Sequence, residues 1–455
     1  MIDTAREKRV IVFSSVNIHH KSGTLHNILL QYLKGFIASG YRVNLVLDSR
    51  AILNAEKIPE ALAEKINITR ILWAERFYIL PVYFYQRFRS ILKHFCFKKA
   101  LGDLGESRGI WSKQRNEAWK VPYVIILTTQ FLFHMLFYGR NASFIYSVEP
   151  TASVSGGIVG RFLGMVSVSR IMGSAIYNID IELKSRWKSR FKYPIRHISL
   201  SPLSILHVMT DDGTNGLQAL LDHGVNPRQI WFKKNGIPQI QISEIANENS
   251  LSDEYLPYFV TVSRLVDWKR VDRCLKIFEG VLSKFTPEKS LKLLVIGDGP
   301  EEDFLKKYAA SMGIERDVIF LGRVSHDKVI NIVSKSIGLL SLYNYSNLTN
   351  QVLEAVAVSV PVITYEGLDV ADLLVDGVNS ILLSRELPLE VNAGRVINQL
   401  NVDPSLRRLK NTAASLNASL VQCWEERMSE EISWIEKQIA GRQRTAGRGI
   451  EKGSL

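Results

Sequence analysis

Along most of this chain, short apolar runs alternate with longer stretches whose apolar residues recur every three or four positions. That is the pattern of a parallel sheet with covering helices. Arg9–Ser15 reads as a strand, Ser22–Ser39 as a helix closed by Gly40, and Tyr41–Asp48 as the next strand. Further strands are predicted at Ala142–Ser147, Val166–Arg170, Ile205–Thr210 and Gln229–Lys233, while residues 70–120 break the rhythm and read as an insertion. The second half is more regular. Its strands are predicted at Tyr258–Ser263, Leu291–Ile296, Val318–Leu321, Gly338–Leu342, Pro361–Tyr365 and Ser380–Leu383, with helices beginning near Val271, Pro300, His326, Gln351 and Ala371.

A chain of 455 residues exceeds a single core. The pattern divides it into a Rossmann-like domain over residues 1–245, expected to bind an acceptor, and a second one over 246–415, expected to bind a nucleotide. The polar stretch Asn247–Asp253 reads as the linker. Two doubly wound domains predict a cleft between them, with ligands at the carboxyl ends of the strands. A last helix over 416–440, strongest from Leu416 to Gln438, carries Trp424 and Trp434 and can return to the first domain. The Gly- and Arg-rich residues 441–455 read as a disordered tail.

Composition adds compartment and charge. Cys96, Cys274 and Cys423 are far apart and lack metal-ligand spacing, which argues against a disulfide framework or zinc site and for a reducing compartment. The only early apolar run, Val10–Phe13, is too short for a secretory signal, so a cytoplasmic location is expected. The net charge of +12 is uneven: residues 1–240 carry +16 and the remainder −4. In residues 70–99, Arg87, Arg89, Lys93, Lys98 and Lys99 are interleaved with aromatic residues, and Lys184–Arg196 forms a second basic cluster. Val121–Tyr138 is nearly long enough to span a bilayer but is interrupted by Thr128, Thr129, Gln130 and His134, which favours burial or interfacial attachment. No nucleic-acid-binding signature is present, so the basic half is expected at the inner face of an anionic membrane, as a peripheral protein.

Three motifs carry chemistry. In Ser263–Arg270, a loop after a strand places Arg264 and Lys269 where two cations suit a diphosphate; the alternative is a pair of solvated surface cations. Gly297-Asp298-Gly299-Pro300 is not a dinucleotide fingerprint, because Glu302 stands where the third glycine belongs, and it reads as a tight turn into a helix. This speaks against a dinucleotide oxidoreductase. Ser341–Pro361 runs from a strand through Tyr345–Asn350 into a helix with Glu354 in its first turn, a natural phosphate site. There Glu354 either opposes the helix dipole or accepts hydrogen bonds from ribose hydroxyls.

Taken in order, Ser-Arg-Leu-x3-Lys, Gly-Asp-Gly-Pro, Phe320-Leu321-Gly322, Ser346-Asn347-Leu348, Leu353-Glu354-Ala355, Pro361-Val362-Ile363 and Asp376-Gly377-Val378-Asn379 resemble retaining glycosyltransferase family 4. The resemblance is strong over 255–385. It implies the GT-B fold and transfer from a nucleotide diphosphate sugar, a UDP-sugar ahead of a GDP-sugar, without a metal or other cofactor. It places Arg264 and Lys269 on the diphosphate and Glu354 on the ribose. Gly23, Ser263, Gly322, Arg323, Ser346, Asn347, Leu348, Thr349 and Asn350 make up the implied donor site, and the acceptor is expected to be a lipid-linked or polymeric glycan. Acceptor-binding residues are not assigned.

Two positions depart from the family. The usual Glu-x7-Glu begins here with Ser346, which can hydrogen-bond a sugar but brings no negative charge, and Met172 stands where many members carry histidine. Both departures favour a rival reading, a catalytically degenerate GT-B protein acting as a binding or partner subunit. His19 and His20, just before the Ser22-Gly23-Thr24 loop, are weak candidates, and Asn235-Gly236-Ile237-Pro238 resembles the turn into the hinge.

Overall fold

A computed structural model describes residues 8–14, 24–48, 64–71, 120–139, 141–172, 186–238, 257–284, 291–367, 369–400 and 421–451. His19, His20, Ser22, Gly23, Gly173, the linker 247–253 and nearly all of the basic segment 70–99 lie outside them. The chain divides into two compact units. The first combines residues 1–211, 215–234 and 425–455, and the second combines 212–214 with 235–424.

Unit 1 is built on a seven-stranded sheet ordered β3-β2-β1-β4-β5-β6-β7. Its strands are β1 (Arg9–Ser14), β2 (Arg42–Asp48), β3 (Ile66–Ile71), β4 (Phe144–Val148), β5 (Ser167–Met172), β6 (Leu206–Thr210) and β7 (Ile230–Lys233), all paired in parallel. Six of them fall within two residues of the predicted strands. The seventh, β3, was absorbed into the predicted insertion because it is an edge strand with Asn67 and Ile68 exposed, so its apolar signal is weak. On one face, α1 (Thr24–Ala38) sets Phe36 edge-on against Tyr146 at 5.0 Å. On the other face lie α2 (Lys120–Tyr138) and α3 (Pro150–Leu163), where Phe131 stacks on Phe13 at 4.1 Å. Three short helices, α4 (Arg186–Lys192), α5 (Pro194–Leu200) and α6 (Gly216–Asp222), complete its described parts before the chain leaves for unit 2.

Unit 2 holds a six-stranded parallel sheet ordered β10-β9-β8-β11-β12-β13. The strands are β8 (Tyr258–Val262), β9 (Lys292–Ile296), β10 (Val318–Gly322), β11 (Gly338–Ser341), β12 (Val362–Tyr365) and β13 (Ser380–Leu383), each close to its predicted position. The helices α7 (Val271–Leu282), α8 (Glu302–Ser311), α9 (His326–Lys335) and α10 (Asn350–Ala357) also match prediction. The helix expected at Ala371 is instead a series of turns, and α11 (Leu389–Leu400) was not foreseen. Apolar cores cover both faces, one around Cys274, Phe278 and Val396, the other around Val260, Val352 and Leu373. Continuous burial of β8, β11 and β12 explains why their sequences are apolar throughout.

The final helix, α12 (Trp424–Glu451), extends well past the predicted disordered start at residue 441. Extending an existing helix costs far less than nucleating one, so a docked first half carries the Gly-containing second half along. Docking centres on charges in the interior of unit 1. Arg170, Arg427 and Glu431 are at most 1% exposed. The Arg427 Nη1 donates to Glu431 Oε2 at 2.6 Å, the Tyr146 hydroxyl donates to Glu431 Oε1 at 2.5 Å, and Arg170 Nη1 lies 4.0 Å from Oε2. Arg170 Nε donates to the Tyr32 hydroxyl at 3.0 Å, and Arg427 Nε to the Lys234 carbonyl at 2.9 Å. One carboxylate therefore joins α12 to β4 and, through Arg170 and Tyr32, to β5 and α1.

Removing that carboxylate strands two buried guanidinium groups. Glu431→Gln should lower the stability of unit 1 by about 3–5 kcal/mol, the cost of breaking a buried pair from one side. Burial pushes the Glu431 carboxyl up, but Arg427, Arg170 and the Tyr146 hydrogen bond outweigh it and hold it below the ordinary glutamate value. A depressed carboxyl stabilises above its unfolded pKa of about 4.3 and loses that contribution as pH falls through the folded value. The gap between wild type and Glu431→Gln in thermal melts should therefore narrow in acid.

Candidate functional site

The order of strands in unit 2 reverses between β8 and β11, and open α/β sheets bind ligands at the carboxyl ends of strands at such a reversal. Three strand ends are tied together there. Ser263 N–H donates to the Ile296 carbonyl at 3.0 Å, Leu265 N–H to Asp298 at 2.8 Å, and Gly297 N–H to Gly322 at 2.8 Å. The approach is so close that a Cβ on Gly297 would lie 1.8 Å from the Ser263 carbonyl oxygen, and one on Gly299 would lie 2.1 Å from that of Leu265. Gly-Asp-Gly-Pro is thus structural, and what it supports is the loop that carries Arg264.

Arg264 is exposed, and Lys269 ends a single 3-10 turn, Asp267–Lys269. The Lys269 ammonium lies over two rings, 3.7 Å from the Tyr343 centroid and 4.2 Å from that of Trp268. Among the described residues neither cation forms an ion pair, in contrast to Arg270, which pairs with Asp272 at 2.7 Å. Removal from water, with the charge of Arg264 added, pushes the Lys269 amine down to about 7. Such a lysine lacks an anion, and a diphosphate would supply one.

The second loop, after β11, is held by its own side chains. Asn347 is fully buried and its Oδ1 accepts from Tyr343 N–H at 3.0 Å, while Leu348 sits in the core. Thr349 caps α10 by accepting from Val352 N–H at 3.4 Å, and Asn350 Oδ1 accepts from Asn235 at 3.1 Å. Ser346 donates its hydroxyl proton to the Asp212 carbonyl and accepts from Leu348 N–H at 3.0 Å. Asp369 takes the Asn347 N–H at 2.7 Å, which sets a carboxylate beside this loop. Several side chains named for the donor are therefore committed to shaping the loop, which leaves contact with a ligand to its backbone.

Glu354 corrects one expectation. Because α10 begins at Asn350, it lies beyond the first turn, and it is only 6% exposed. Its Oε1 meets His326 Nε2 at 2.9 Å, and this hydrogen bond raises the His326 pKa above the ordinary value. Sequence reasoning registered His326 only as the start of a helix; a histidine there gives no sign of its partner 28 residues on. Gly322 has a left-handed φ of 64°, and Arg323 pairs with Asp298 at 2.7 Å. Met172 ends β5 in unit 1. Among the described residues no group of three or more His, Cys, Asp or Glu side chains could hold a metal ion.

Residues 243–415 match the family Glycosyl transferases group 1. The chain is 26% identical over 242 residues to an uncharacterized glycosyltransferase of Methanocaldococcus jannaschii, covering 52% of this chain and 59% of that relative, less than two thirds of its length. Among solved structures, Anabaena Alr3699/HepE in complex with UDP matches with a TM-score of 0.62 at 13% identity, over 94% of this chain and 100% of that one. Sucrose-phosphate synthase from Thermosynechococcus elongatus matches at 0.67 and 13%, over 96% and 100%. The chain has the GT-B fold.

An anion seated over Lys269 would hold its proton on, so binding should take one up. Affinity for a diphosphate diester, which does not itself titrate near neutrality, should be full below about pH 7 and weaken above it, by up to about tenfold per unit. Lys269→Arg stays charged throughout and should flatten that dependence. Calorimetry in buffers of different ionisation enthalpy reads both the affinity and the proton.

Proposed function

We propose that this chain is a retaining glycosyltransferase of family 4, moving a sugar from a nucleotide diphosphate sugar to an acceptor hydroxyl. The supporting observation is the pair Arg264 and Lys269, two cations without counter-charge at the strand-order reversal of unit 2. They would neutralise the diphosphate as the bond to the sugar breaks, a preorganised electrostatic contribution that water cannot match. Glu354 would accept from the ribose hydroxyls in place of His326, and the base would lie against the backbone after Gly322. A UDP-sugar is favoured over a GDP-sugar, and no metal or other cofactor takes part.

A second reading, a binding or partner subunit on the same fold, is favoured by Ser346, whose hydroxyl already both donates and accepts within the protein. Turnover separates the two. Arg264→Ala and Lys269→Ala should each lower transfer by one to two decades, about 1.5–3 kcal/mol, with the fold intact. Glu354→Gln should weaken nucleotide binding and return the His326 titration, followed by NMR of the ring proton, toward the ordinary histidine range. Transfer should survive EDTA. Absence of turnover in a wild type that binds nucleotide tightly would favour the partner-subunit reading.

For the acceptor we assign a lipid-linked or polymeric glycan reached from the cytoplasmic side of an anionic membrane. Helices α2 to α5 contain no Asp or Glu, yet carry Lys120, Arg161, Arg190, Lys192 and Arg196. On α2, Tyr123, Leu127, Phe131 and Met135 are buried, while Ile125, Phe133 and Phe137 form an exposed stripe; Phe162 and Phe191 are exposed on α3 and α4. An apolar stripe with a cationic border suits a peripheral seat at the lipid interface, and the buried stripe anchors α2 to its own sheet. Vesicles with anionic lipid should float the wild type at low salt and release it at high salt. Phe133→Gln with Phe137→Gln, both at exposed positions, should leave the melting temperature unchanged and abolish flotation.

A further inference from the structure

Unit 1 has a strand-order reversal of its own, between β1 and β4. The residue directly after β4 is Glu149, whose N–H donates to the Arg170 carbonyl at 3.1 Å, so it lies between the carboxyl ends of β1 and β5. Its backbone has φ 79° and ψ 155°, a region that glycine occupies and other residues pay to enter. Glu149 stands at the N-cap of α3, where a carboxylate ordinarily bonds the first free N–H groups, yet its side chain makes no capping bond. Among the described residues its carboxyl has neither a hydrogen-bond nor an ion-pair partner, although Lys120 and Arg196 lie near enough to act on its charge. A strained backbone, a carboxyl without a structural partner and the binding edge of a doubly wound sheet coincide at one residue.

We infer that Glu149 is an acceptor-binding residue, its carboxylate accepting the hydrogen bond of the hydroxyl that receives the sugar. Half-burial raises its pKa, and Arg196 and Lys120 oppose that rise, which keeps a strong acceptor in a site largely shielded from water. The ligand class is a polyhydroxylic one, since a carboxylate fixes the direction of a hydroxyl through its proton. The inference rests on the reading of the chain as a glycosyltransferase.

The test has two arms. In the first, Glu149→Gly should melt at a higher temperature than wild type, because glycine relieves the backbone and no side-chain contact is lost. A melting temperature at or below wild type would mean that the carboxyl holds the fold, and would overturn the inference. In the second, UDP release from UDP-glucose with water as acceptor should fall at least tenfold in Glu149→Gln, while calorimetric affinity for UDP stays at the wild-type value. Unchanged release would also overturn it. A wild type that binds no nucleotide defeats the donor reading instead, and the melting arm still judges Glu149.

Discussion

Parallel strands cannot be joined by tight turns; every return must cross a face of the sheet, and the crossings share one hand. When the chain stops adding strands on one side and starts on the other, the two helices at the reversal leave on opposite faces. Their diverging starts leave two neighbouring strand ends uncovered. Both units obey this constraint, at β1/β4 and at β8/β11. Arg264, Lys269 and the loop from Tyr343 to Asn350 gather at one reversal, and Glu149 stands at the other. The chemistry of this protein is placed by how the sheets are wound before any side chain is chosen.

What the winding leaves open, local packing fills in two different ways. In unit 2 the cation is prepared by apolar company: aromatic faces attract the Lys269 ammonium while keeping water off it, so the charge is held but not satisfied. In the interior of unit 1, by contrast, Arg427 and Arg170 share a carboxylate. The same residue chemistry thus serves opposite ends. A cation with a partner fixes structure, and one denied a partner stays available to an incoming anion.

Much of this was legible in the sequence because the signals were local. Every strand of unit 2 could be read from its apolar run, since burial on both faces leaves no polar position to blur it. The order of motifs from Arg264 to Asn379 pointed to the family from residue identity alone. Other features depend on partners distant in the chain. The edge strand β3 has too few buried positions to stand out. His326 and Glu354, or Glu431 and Tyr146, meet only through the fold. Gly-Asp-Gly-Pro was readable as a turn, but that its glycines make room for the carbonyls of Ser263 and Leu265 was not. Glu149 looked like any acidic residue before a proline; its significance is a backbone angle, which no residue type announces.

The composition of unit 1 has a consequence for how the protein is made. A ribosome delivers the chain from the amino end, so β4 and β5 emerge with Tyr146 and Arg170 already aimed at a site whose carboxylate, Glu431, is nearly three hundred residues away. Until that residue leaves the exit tunnel, the first unit holds a buried cation with nothing to meet it and an empty groove where α12 will lie. Unit 2, contiguous but for three residues, carries no such debt. The domain begun first is therefore the last to be completed, and release of the finished chain becomes the step that closes it.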